Sequence, residues 1–214
     1  MSEDVRSGPA LIGPNAILQM LPVLDRLGGP ERRGQILARA GIFDLPDGTR
    51  MIPETQAAQL HRTLRQEEPI LAPALAGEAG RATADYILAH RIPRPAQLLL
   101  RVLPAGPSAA LLSRAIARHA WTFVGSGRFR VVDPMTFEIA DNPLVAGERS
   151  EGCLCHWHAA VFARLYHVLV AADATCTETS CGAHSPGHPC RFELERSGST
   201  PNLIDIKPHP RAAQ

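Results

Sequence analysis

The sequence predicts an α+β fold: a helical N-terminal region, then an antiparallel sheet of about four strands with one helix packed on it. Three observations carry this prediction. Apolar residues recur at helical spacing through most of the first 119 positions. From Trp121 onward, apolar and polar residues alternate instead. All five cysteines then fall between Cys153 and Cys190, in a helix, strand, turn, strand order that one shared metal ion can close.

Residues 1–12 read as a flexible arm, and 13–119 as the helical region. Asn15 is placed to cap a helix through Ile17, Leu18, Leu21 and Leu24, whose spacing gives one stripe. Gly28-Gly29 ends it, Pro30 restarts it, and Gly41 stops it. Residues 42–52 form a connection. Pro53 opens a helix with Ala57, Leu60, His61 and Leu64 on one side. Ile70 to His90 is a longer, alanine-rich helix stopped by Ile92-Pro93. Two short helices over 95–102 and 107–119 each enter at a proline.

Residues 120–197 read as the α/β unit and 198–214 as a tail. Two strands, WTFVGSGRFRVV and MTFEIA, join through Asp133-Pro134, and Asn142-Pro143 marks a turn. A helix over 153–170 covers the sheet, which the hairpin 174–196 completes. Cys155 then sits in the first helical turn, where the dipole favours a thiolate. Glu178 and Cys181 lie near the end of the first hairpin strand, and Cys190 opens the second. Those four can meet at one point, and thiolates with a carboxylate suit zinc in a closed, structural site. Glu178 and Cys181 are three positions apart, which a regular strand would aim to opposite faces, so the strand must bend or stop between them. Cys153, Cys176, His156, His158, His184 and His188 are alternative ligands, and reduced, unliganded thiols are the alternative to a metal.

Cys155, the small residues Ala159 and Ala163 on the following helix, Glu178-Thr-Ser-Cys181 and Cys190-Arg-Phe192 together resemble the 4-vinyl reductase domain. The resemblance covers the last third of the chain. It implies zinc held by Cys155, Glu178, Cys181 and Cys190. The chain departs from the family in having alanines where glycines are usual, and a hairpin turn one residue longer. The long helical front end, with no output domain, is most similar to the members that serve bacteriochlorophyll synthesis in purple phototrophs. That implies a tetrapyrrole intermediate, of the Mg-porphyrin or chlorophyllide type, as ligand, with pathway enzymes as partners and a homodimer as the assembly.

Composition sets bounds on function. Lys+Arg number 22 against Asp+Glu 21, a net charge of +1, which argues against nucleic acid as partner. No apolar run approaches a transmembrane span and no leader opens the chain, so a cytoplasmic protein is expected, with weak membrane-surface association left open. Gly125-Ser-Gly127 lacks the third glycine and the helix of a dinucleotide loop. No serine, histidine and acid set can be assembled, so no catalytic residue is assigned. His119, Trp121, Phe123 and Arg128, where helices hand over to sheet, are the candidate ligand-binding residues: an axial nitrogen, flat rings and a partner for a propionate. The family name implies reduction of a ring vinyl group. Such a reduction needs a hydride or electron source, and the residues show no nicotinamide or flavin motif. The leading reading is therefore a carrier or assembly factor in vinyl-group reduction. The 4-vinyl reductase itself is the alternative, and a small-molecule sensor or protein-interaction module the second.

Overall fold

The computed structural model describes residues 10–196; the expected tail at 198–214 and the first nine residues of the arm lie outside them. The end of the arm is not loose. Leu11–Ile12 (β1) pairs antiparallel with Ile52–Pro53 (β2). The Gly13 N–H then donates to Thr122 O at 2.7 Å, and a Cβ on Gly13 would meet the same oxygen. Only glycine permits that approach. A one-turn helix, Asn15–Leu18 (α1), follows, with Pro14 rather than Asn15 at the cap; Asn15 instead accepts from Gln19. Leu21–Arg39 (α2) is two helices broken at Gly28 and Gly29, the latter at φ +73°, and Pro30 restarts the second.

The next helices are Glu54–Glu67 (α3), Ala72–His90 (α4), Arg94–Val102 (α5) and Ala105–Arg118 (α6). Pro53, Pro93 and Pro104 cap α3, α5 and α6, all with extended ψ. Proline suits this position because its fixed φ is compatible and no N–H is left over. The alanine-rich face of α4 has its own logic. Ala76, Ala79, Gly80, Thr83 and Ala84 are buried against His156–Leu169 (α8), and a Cβ on Gly80 would overlap Trp157 O. Small side chains let the two helix backbones approach closely.

One expectation fails between helices and sheet. Trp121–Val124 is a short helix (α7), not the start of a strand. The Phe123 and Val124 N–H groups donate to Ala120 O, Gly125 at φ +56° ends the turn, and Glu54 accepts from both the N–H and hydroxyl of Ser126. These tertiary ties, with Gly13 on Thr122, override the strand-like alternation.

The strand begins at Arg128. Arg128–Asp133 (β3), Thr136–Ala140 (β4), Ala174–Ser180 (β5) and Cys190–Arg196 (β6) form one antiparallel sheet in the order β3-β4-β6-β5. Helix α8 covers it, shorter at both ends than the expected 153–170. Phe162 of α8 sits 5.0 Å from Phe137 and 5.3 Å from Phe192, ring centre to ring centre. This aromatic layer continues into the helical core. Glu138, buried on β4, is bonded by Arg130 and Arg191; burial alone would raise its carboxyl, but the two guanidiniums hold it below the usual range. Among the described residues, no helix is long and apolar enough to cross a membrane.

Candidate metal centre

Four chain segments converge beside α8. Asn142 opens a 3-10 turn, Pro143–Val145, and its Oδ1 accepts from the Leu144 N–H. Arg65 of α3 holds this turn by donating to Leu144 O at 2.8 Å and pairing with Glu148. Cys155 is the N-cap of α8, one residue ahead of the expected first turn. Glu178 lies on β5. The ladder slips between Glu178, opposite Phe192, and Ser180, opposite Arg191, so Thr179 is an extra residue. This bulge is the interruption that the three-residue spacing demanded, and it brings Cys181 back to the side of Glu178. Cys190 opens β6 opposite Ile139.

The donor atoms of Cys155, Glu178, Cys181 and Cys190 all lie within 4.8 Å of one another. The Cys155 and Cys190 sulfurs are 3.4 Å apart, and those of Cys190 and Cys181 4.0 Å. A tetrahedron with metal–sulfur bonds of about 2.3 Å has sulfur–sulfur edges of about 3.8 Å. The three thiols are buried, and Glu178 Oε1 is buried without a hydrogen-bond partner while Oε2 accepts from the Cys155 N–H at 2.6 Å. An orphaned carboxylate oxygen aimed at three sulfurs is the arrangement a cation completes. Asn142 Nδ2 donates to Cys155 Sγ at 3.3 Å and lies 3.7 Å from Cys190 Sγ, and the Gly182 N–H donates to Cys190 Sγ at 3.4 Å.

The electrostatics agree. Burial pushes the Cys155 thiol well up, and burial with the Cys181 charge lifts the Glu178 carboxyl to about 8. Hydrogen bonds from Cys155 and Cys190 pull Cys181 far down. The Cys155 hydrogen bond also lowers Cys190, but Cys181 and burial outweigh it and leave that thiol at about 12. Without a cation the group thus sustains one thiolate shared by its neighbours. Bringing every donor to its charged form needs a positive ion at the centre. Four protein donors would close such a site and leave no position for substrate.

The other candidate ligands stand apart. Cys153 and Cys176 are half-buried, and burial pushes their thiols up to about 11 and about 12. His158 is buried with Nε2 on Phe123 O, and His184 and His188 are exposed. Half-buried His156 lines a cavity of about 260 Å³ with His61, Leu64, Arg65, Ala76 and Cys153, between α3, α4 and the segment leading to α8. Nothing in the sequence marked this cavity, or Asn142 as a sulfur partner.

The candidate ligand-binding residues do not converge on that cavity. His119 and Trp121 are exposed at the end of α6 and start of α7. Phe123 turns inward against Phe129 and Phe162. Arg128 is exposed and paired with Asp141 at 2.8 Å.

The 4-vinyl reductase domain matches residues 135–196, which span β4 to β6 and all four donors. The bacteriochlorophyll synthase 23 kDa chain of Cereibacter sphaeroides is 54% identical over 202 residues, covering 92% of this chain and 97% of that protein. The protein of the same name from Rhodobacter capsulatus is 49% identical over 189 residues, covering 87% and 88%. Among solved structures, an Fe(II) unliganded H-NOX protein variant from K. algicida aligns with a TM-score of 0.53 at 11% identity, covering 90% of this chain and 98% of that one. An H-NOX structure concerned with heme distortion aligns at 0.55 and 8% identity, covering 88% and 97%. These last two likenesses are of fold. The identity over nearly the whole length decides the family: this chain, with its 4-vinyl reductase domain, belongs to the family of the bacteriochlorophyll synthase 23 kDa chains.

Proposed function

We propose that this chain serves bacteriochlorophyll synthesis as a carrier or assembly factor, holding a tetrapyrrole intermediate for the enzymes that act on it. The observation that carries this reading is the 54% and 49% identity to two proteins named for bacteriochlorophyll synthase, over nearly their full lengths. The H-NOX likeness speaks to the fold alone. In this reading the ion held by Cys155, Glu178, Cys181 and Cys190 is zinc, and its role is structural. Reduction of a vinyl group consumes two electrons and two protons, and a closed zinc site supplies no electrons. A carrier needs neither.

Asn142 supports the centre from outside the ligand set. Its amide partners two sulfurs while its carbonyl anchors the turn on α3. Asn142→Ala is expected to weaken zinc retention about 10- to 100-fold, read by competition with a chromophoric chelator. Unchanged retention would leave Asn142 a turn residue only.

The pigment reading is tested with purified protein and magnesium protoporphyrin or divinyl protochlorophyllide. The expected result is a shifted pigment absorbance, with quenching of fluorescence from exposed Trp121, a candidate contact together with His119, Phe123 and Arg128. Trp121→Phe is the control that assigns the quenching, since Trp157 is buried. Absence of any shift, with binding of a simple phenol instead, would turn the reading toward a sensor. Monovinyl product formed by pure protein with NADPH and divinyl substrate would make the chain the reductase itself.

A further inference from the structure

Helix α5 faces the wrong way for a core helix. Only Leu100 of its residues is buried, while Leu98, Leu99 and Val102 are 64%, 52% and 69% exposed. At 100° per residue, Leu98, Val102 and Leu99 share one outward arc, with Arg94 and Arg101 along its edge. Helix α6 repeats the pattern, with exposed Leu111 between Arg114 and Arg118. Both helices are tied to the end of α8. Arg101 Nε donates to Val168 O, and the Ser108 hydroxyl to Leu169 O. They also pack on each other, so their outward faces adjoin.

The charge around this face is one-sided. Residues 86–132 hold seven arginines and no aspartate or glutamate, in a chain whose net charge is only +1. Arg128 and Arg130 of the seven are paired with acids of the sheet. Arg91, Arg94, Arg101, Arg114 and Arg118 form no ion pair among the described residues. A leucine ridge flanked by unpaired arginines matches the interface between anionic headgroups and acyl chains, where apolar side chains enter the boundary and guanidiniums meet phosphates.

We propose that the outward face of α5 and α6 docks this protein on an anionic lipid bilayer, without spanning it. The arginines supply attraction to the headgroups and Leu98, Leu99, Val102 and Leu111 the apolar anchorage. This docking does not depend on pigment binding, and its test contains no pigment.

The full chain is mixed with vesicles of phosphatidylcholine alone, or with phosphatidylglycerol added, and sedimented. Preferential binding to the anionic vesicles, reversed by salt, is the expected result. Leu98→Glu with Val102→Glu should lower the partition coefficient about tenfold or more. Helicity and melting temperature should stay unchanged, because both side chains already face solvent. Equal, weak binding of the native chain to both vesicle types would overturn the proposal. So would a double variant that binds as well as the native chain. If the double variant instead converts a dimer to a monomer, with no lipid binding by either form, a second copy covers this face and the proposal falls.

Discussion

Cys181→Ser is expected to release the metal and lower the melting temperature by more than about 10 °C. The reasoning starts from the three buried sulfurs and the orphaned Glu178 oxygen around one point. Serine keeps the volume but offers no thiolate, and Cys181 is the donor that its neighbours already hold deprotonated. In small peptides a structural zinc contributes about 10–16 kcal/mol of apparent binding energy. A whole domain's margin is about 5–15 kcal/mol. Losing even a third of the smaller figure would give the stated shift, at about 2–4 °C per kcal/mol for a chain of this size. Elemental analysis of the native protein should find about one zinc per chain. Prolonged chelation should reproduce the variant's melting curve. A native protein that is metal-free and equally stable would end the zinc assignment.

Phe162→Ala is expected to cost about 3–5 kcal/mol. Phe162 is 1% exposed and touches the rings of Phe123, Phe129, Phe137, His158 and Phe192. It therefore joins α8 to three strands and to the short helix α7. Those partners belong to four separate elements and cannot collapse together into the gap, so the cavity persists. Denaturant titration gives the magnitude. The variant should keep its zinc under native conditions, because none of the four donors moves with this ring. A loss below about 1 kcal/mol would mean that the aromatic layer is plastic.

The helical half was legible because its stripes are long and its boundaries carry glycine and proline. Gly28-Gly29, Pro53 and Pro93 each mark a real break or entry. The hairpin strands were legible from alternation over Cys190-Arg-Phe-Glu-Leu, whose burial alternates in step. The strand ladder of Leu11–Ile12 with Ile52–Pro53 was not, since two-residue strands leave no period to read. Trp121 to Val124 misled because a four-residue window fits either period, and the bonds that decide it come from Gly13 and Glu54, far away in sequence. Asn142 looked like a turn residue and is one; that its amide also reaches two sulfurs depends on where Arg65 holds the turn. His119 and Arg128 were grouped by nearness along the chain, yet each faces solvent.

The bulge at Thr179 decides where the chain tolerates change in length. Cys181 takes its position from the shifted pair Ser180 and Arg191, and Cys190 from its pairing with Ile139. Neither anchor is set by the span between them, where His184, Pro186, Gly187 and His188 face solvent. Insertions or deletions at that tip leave the sulfurs in place. Removing Thr179 alone rotates the thiol of residue 181 to the opposite side of the ribbon, so one position forbids the indel that its near neighbours accept.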